Sequence, residues 1–301
     1  MGELAGLATA ALWVVSSLSF TAAGRSLGAT RVNLLRTVAA AAVLLVVQVW
    51  MVGGLLPAMP LESAIWLALS GVMGLTIGDQ FLFTGYVMLG PRLVSVLMTL
   101  APSMTAIVSW ALFRESMGAV AVVGMLITTA GVAWVSLGRS DGVGTHSRAD
   151  RRRGLFFGVA AALCQALGTV MAKRGLVAEV TPLSAQTMRM FAGAATVVPL
   201  ALIAHRAGMT VAAQPNRRAF AVLALGVVSG PLLGVFFSMV ATKNVPAGVA
   251  ATLIGLVPVL ILPATRIVDG ERISTRAWIG AIIAVAGIAV LSLGTAPEEA
   301  S

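Results

Sequence analysis

Residues 67–138 of this chain recur, without a gap, at 223–294. Shifted forward by 156 positions, APSMTAIVSWALFRES (101–116) falls on VPVLILPATRIVDGER (257–272), matching Pro102 to Pro258 and Glu115 to Glu271. Directly afterwards GMLITTAGVAWVSLG (124–138) falls on GAIIAVAGIAVLSLG (280–294), with eight of fifteen residues identical. Gly74 and Gly78 fall on Gly230 and Gly234. Apolar composition alone does not hold prolines, glycines and a lone glutamate in register over such a length. The chain is therefore a duplication: a first repeat over 1–138, a basic linker over 139–153 and a second repeat over 154–301. The opening helices of each half align at slightly smaller offsets, which pair Gly2 and Gly6 with Gly154 and Gly158, and Arg36 with Arg189.

What the repeat folds into follows from its solvent. The chain is 58% hydrophobic and 10% charged, with a mean hydropathy of +0.98. A bilayer core asks for about 20 apolar residues per helix, and such runs recur throughout. They predict ten membrane helices, at 3–23, 32–52, 64–88, 92–113, 118–137, 155–175, 183–205, 219–241, 247–267 and 277–294. The expected fold class is an all-α integral membrane protein. Five helices per half is an odd number, so the second half enters the membrane from the opposite side. The halves are then inverted repeats about a pseudo-two-fold axis in the membrane plane, an architecture that places a substrate site near the midplane where the repeats meet. Glycines 124, 131, 138 and 280, 287, 294 recur every seven residues, a small-residue face for close helix packing in lipid.

Several chemistries are excluded. There is no GxxxxGK[ST] phosphate cradle, and the only histidines are His146 and His205, so neither HExxH metal chemistry nor an intramembrane Ser–His pair can be built. One cysteine, Cys164, allows no disulfide framework. The expectation is a protein with no enzyme activity, no cofactor and no metal. The formal charge of +9 is not a nucleic-acid signal, because the basic residues collect in short connections where they set topology. Outside the helices or at their ends, fourteen Lys and Arg fall on the side of the 138–153 connection and four (Arg114, Lys173, Arg174, Lys243) on the other. By the positive-inside rule the first side is cytoplasmic and both termini lie outside. The N-terminus has no basic leader before its apolar run and reads as a retained first helix.

The polar exceptions inside these helices are few. Asp79 lies deep in the third, in GLTIGDQFLFTGYVML, with Gln80 beside it. A carboxylate at that depth costs at least a few kcal/mol and normally faces a cavity or a partner. Thr76, Asp79, Phe83 and Tyr86 share one helical face by spacing. Two readings stand side by side: a proton, cation or substrate-amine site, and a structural ion pair with an arginine such as Arg36. The second repeat carries Val235 at the equivalent place, so the acid is one-sided. Arg36 and Arg189 lie early in helices two and seven, where they bind an anionic group or alternate in gating pairs, or else snorkel to the interface. Trp13, Ser16, Ser17 and Phe20 keep an i, i+3, i+4, i+7 spacing that Gln165, Gly168 and Thr169 repeat. Matching polar stripes suit a shared aqueous cavity, although single hydroxyls also bond to carbonyls one turn back. Pro102 and Pro258, mid-helix in segments four and nine, remove a backbone bond and predict kinks.

The unit P-x(12)-E followed by a glycine-spaced helix ending in SLG, at Pro102–Glu115–Gly138 and Pro258–Glu271–Gly294, resembles the paired repeats of EamA-type proteins in the drug/metabolite transporter superfamily. The early arginines of helices two and seven fit the same resemblance, which spans the whole chain. It implies a central cavity lined by helices one to four and six to nine, with five and ten peripheral, and relatives with cytoplasmic termini, opposite to the charge count. It also implies export or exchange of a small metabolite, such as an amino acid, without ATP. The second repeat departs from the first in having Asp269-Gly270 before its glutamate, where the first has Phe113-Arg114. The expected function is secondary transport of a small polar or amphipathic metabolite in the inner (plasma) membrane. The expected partners are that small molecule, a proton or cation, membrane lipid and at most a second copy of the chain, with no nucleic acid. The alternative is a non-transporting membrane scaffold or lipid-handling subunit.

Overall fold

The computed structural model describes residues 1–54, 57–113, 118–136, 148–177, 180–206, 217–244, 252–270 and 273–294. Glu115, Glu271, His146 and most of the basic linker lie outside them. Ten helices follow one another, with no strand among the described residues. They are α1 (Gly2–Leu27), α2 (Ala29–Val52), α3 (Leu61–Leu89), α4 (Pro91–Phe113), α5 (Ala119–Ser136), α6 (Arg148–Gly175), α7 (Pro182–Arg206), α8 (217–244), α9 (Thr252–Val268) and α10 (Thr275–Gly294). Eight are long and apolar enough to cross a membrane, and α5 and α9 are the shorter apolar pair. The chain is a ten-helix integral membrane protein. Turns between neighbours are minimal: α1 and α2 meet at Gly28 (φ 81°), and α3 and α4 at Gly90 (φ 80°). Both are left-handed positions that a side chain would strain.

One expected boundary moves. The basic run was expected in the linker up to residue 153, yet α6 begins at Arg148, so Arg151, Arg152 and Arg153 stand on its first turns. Arginine is a good helix former, and Asp150 in that turn complements the helix dipole.

The halves are related by inversion, and α5 with α10 shows it most directly. Gly124 lies against Gly287 and Leu291, whereas Gly131 lies against Gly280 and Ala284. The two helices therefore run antiparallel. Each contact also has its mirror image, because Gly124 and Gly280 are counterparts, as are Gly131 and Gly287. Thr128 Oγ1 donates to the Gly124 carbonyl at 2.9 Å and reaches the Ala284 carbonyl at 3.5 Å. Ala284 is the repeat counterpart of Thr128, so the pseudo-two-fold axis passes between them, perpendicular to both helices and in the membrane plane.

The same symmetry pairs α1 with α8 and α6 with α3. Ser70 Oγ on α3 donates to the Gly168 carbonyl on α6 at 2.6 Å. Across the axis, Ser16 Oγ on α1 donates to the Gly226 carbonyl on α8 at 3.1 Å. Donor and acceptor helices are exchanged, while the backbone contact stays the same.

Packing is not symmetric throughout. Phe20, Leu27, Val32, Phe83, Tyr86, Val94, Leu223 and Val227 form one buried cluster where α1 and α3 end and α2 and α4 begin. At the opposite end Leu67 of α3 packs with Val180 and Ala185 beside the α6–α7 turn in a smaller buried cluster.

Candidate functional site

The element that positions the site is not an α-helix. Residues Val72–Gly78 of α3 form a seven-residue π-helix, and Val228–Gly234 of α8 form another, displaced by the same 156 positions. Sequence and packing both account for this. Gly74 and Gly78 let α3 approach α6 so closely that a Cβ on Gly168 would meet Gly74 Cα at 3.2 Å. In α8 the segment contains Pro231, which has no N–H for the regular ladder. A π-segment leaves backbone groups poorly matched, and neighbouring amides meet them. Asn33 Nδ2 on α2 donates to the Thr76 carbonyl at 3.0 Å. The Asp79 N–H itself points back to the carbonyls of Gly74 and Thr76.

Directly after the π-segment comes Asp79, 2% exposed. Its Oδ2 pairs with Nη2 of Arg36 on α2, which is 8% exposed. Its Oδ1 accepts a hydrogen bond of 3.1 Å from Gln165 Nε2 on α6. The carboxylate thus joins a cation from its own repeat to an amide from the other. Behind the pair, the Arg36 guanidinium lies 5.9 Å from the Phe20 ring centre and 5.4 Å from that of Phe83. These rings meet edge to face at 5.2 Å. Ser17 and Tyr86 hydroxyls, 3.0 Å apart, tie α1 to α3 beside them.

Arg189, the repeat counterpart of Arg36, approaches from the opposite face. Each arginine stands seven residues into its helix, about 10 Å along the axis. Arg189 is half-buried, donates from Nη1 to Gln186 Oε1 at 3.2 Å, and is attracted to Asp79 through space. Asp79 therefore lies between two guanidiniums that belong to opposite ends of the bundle.

The remaining expected residues fall as follows. Trp13 is half-buried against Gly234, the end of the second π-segment. Ser16 bonds across to α8, and Tyr86 to Ser17. Gln80 turns away from Asp79 and donates to Thr30 Oγ1 at 3.1 Å. Thr169 is exposed and donates to the Gln165 carbonyl one turn back at 2.8 Å. Thr76 leaves the stripe expected with Asp79, because the π-segment turns it toward α7. There it contacts the Gly193 carbonyl at 3.1 Å and Thr196 at 2.7 Å. Helix α4 is interrupted at Thr99, three residues before Pro102, and α9 at residues 255–256, just before Pro258. Asn33 and the π-segments are what the sequence reading missed. The glycines of 71–78 and the Gly-Pro of 230–231 are the signal the sequence offers for these segments. Among the described residues no group of three or more His, Cys, Asp or Glu could hold a metal.

A membrane bundle of inverted repeats with a buried charge cluster between them defines the class, and comparison specifies it. The EamA-like transporter family profile matches residues 1–137 and 152–293, and the chain belongs to that family. A comparison with curated proteins gives no match. Among solved structures, one described only as the crystal structure of a protein superimposes with a TM-score of 0.67. Its sequence is 19% identical, and the match covers 97% of this chain and 96% of that one. At that identity the likeness speaks for the fold alone.

Proposed function

We propose that this chain is a secondary transporter of the inner membrane that moves a small polar or amphipathic metabolite outward by alternating access. The cluster of Asp79, Arg36, Gln165 and Arg189 is its moving centre. The observation that carries this is the position of Asp79: a buried carboxylate held at once by Arg36 of the first repeat and Gln165 of the second. Inverted repeats exchange conformations to open alternate sides around a midplane site, and a group bonded to both repeats is where such an exchange is felt. The cluster of Phe20, Phe83 and Tyr86 packs over the Arg36 side, and the half-buried Arg189 supports access from its own side in the state described.

A proton on Asp79, or an ammonium group of a substrate beside it, would compete with Arg36 and loosen α2 from α3. The matched π-segments flank this point in α3 and α8, and such segments recur at functional sites. A structural role for the pair is the second reading, favoured by its complete burial. Efflux of a labelled metabolite panel from cells expressing the chain tests the proposal. Accelerated loss of at least one metabolite relative to cells without the chain supports it. Equal loss from cells with and without the chain, across the panel, defeats it.

A further inference from the structure

Two guanidiniums face one carboxylate in this cluster, and the carboxylate is committed to one of them. Arg36 is closed in by Phe20 and Phe83 and paired with Asp79. Arg189 has only a neutral partner among the described residues, the Gln186 side chain, and its buried Nε–H has none. Arginine does not give up its proton in proteins, so the cluster holds one uncompensated positive charge inside the membrane. Arg189 is also the less enclosed of the two, half-buried where Arg36 is buried. Gly74, which carries no side chain, lies beside both Arg189 Nη2 and Gln165 Oε1. A Cβ placed there would lie 3.7 Å from the first and 3.5 Å from the second.

We infer that Arg189 is the recognition residue for an anionic group, so that the transported molecule carries a carboxylate or another small oxyanion. This rests on the transport function proposed above and narrows its substrate class. The planar fork of a guanidinium suits a two-oxygen anion, and the Gln165 amide stands beside it as a neutral second contact. Substrates whose charge is masked as an amide lose the principal contact. Cationic solutes meet a site that already repels them.

The experiment uses the full-length protein in detergent, with thermal unfolding measured at matched ionic strength. The probes are L-leucine against L-leucinamide, L-phenylalanine against L-phenylalaninamide, succinate against succinamide, and inorganic phosphate against chloride. At least one acid should stabilise the protein where its amide does not. Arg189→Gln should weaken that acid's apparent affinity about tenfold or more, the loss expected for a charge-assisted pair. Arg189→Lys should retain part of it, and Asp79→Asn, which adds net positive charge, should retain or strengthen it. Amides that stabilise as well as their acids, or no preference in any pair, would overturn the inference, as would an acid preference that survives Arg189→Gln. The outcomes separate the two proposals. Efflux of amides as fast as acids leaves transport standing and removes the anion site, whereas a carboxylate preference with no efflux does the reverse.

Discussion

Arg36 and Asp79 neutralise each other among helices that offer almost no other charge, so each is expensive to remove alone. A side chain of this kind costs about 2.5–3.5 kcal/mol at a helix centre even by insertion scales. Stranding one partner of a buried pair costs about 3–5 kcal/mol. Asp79→Asn should therefore lower the thermal midpoint of the purified protein markedly. Arg36→Met/Asp79→Leu, which removes both charges, should restore most of it, as a double-mutant cycle would show. A milder effect is expected at Tyr86→Phe, which deletes the hydroxyl and its bond to Ser17: about 1 kcal/mol, read in the same unfolding assay. At this scale the sequence was readable where charge stood out. Asp79, Arg36, Arg189 and Gln165 are conspicuous in apolar runs, and the structure brings them together. Gln80 was misleading because neighbours in sequence point about 100° apart on a helix. Asn33 was overlooked because a single amide in such a helix has no pattern to mark it.

Helices and their contacts were legible wherever periodicity or small residues carried the information. The seven-residue glycine spacing of α5 and α10 marks a close seam, and that seam is where the two meet across the axis. A methyl group on Gly131 would collide with backbone, at 2.8 Å from the Gly280 carbonyl and 2.9 Å from Ala284 Cα. Backbone cannot yield as a flexible side chain can. Gly131→Ala should destabilise the protein by about 1–3 kcal/mol, the usual cost of overpacking. Val122→Ala, at an exposed position on the same helix, should change little. The π-segments were not legible, because apolar periodicity averages over one extra residue in a turn. The consequence is local and specific: Thr76, expected on the Asp79 face, is carried round to α7. The matched register of the two π-segments shows that the duplication preserved backbone irregularity along with helix count.

The whole molecule is two inverted copies whose symmetry holds at α5–α10 and at the Ser70 and Ser16 contacts, and fails at the charge cluster. That failure is written in the chain as Asp79 against Val235 and as Gln165 against Trp13, which makes the first repeat the one that holds the acid. Fourteen basic residues against four predict that the α5–α6 connection is cytoplasmic. A C-terminal alkaline phosphatase fusion should then be active and a C-terminal green fluorescent protein fusion dark, and the opposite pattern would show that short-loop charge does not orient this duplicated fold. The central claim is that the Arg36–Asp79 pair serves transport and not only folding. It is tested most directly in proteoliposomes that carry Arg36→Met/Asp79→Leu, loaded with the metabolite found by efflux, with uptake against its gradient driven by a proton gradient. The account predicts a folded protein that keeps most of the wild-type stability but whose uphill accumulation falls to that of empty liposomes. Wild-type accumulation by that variant would contradict it.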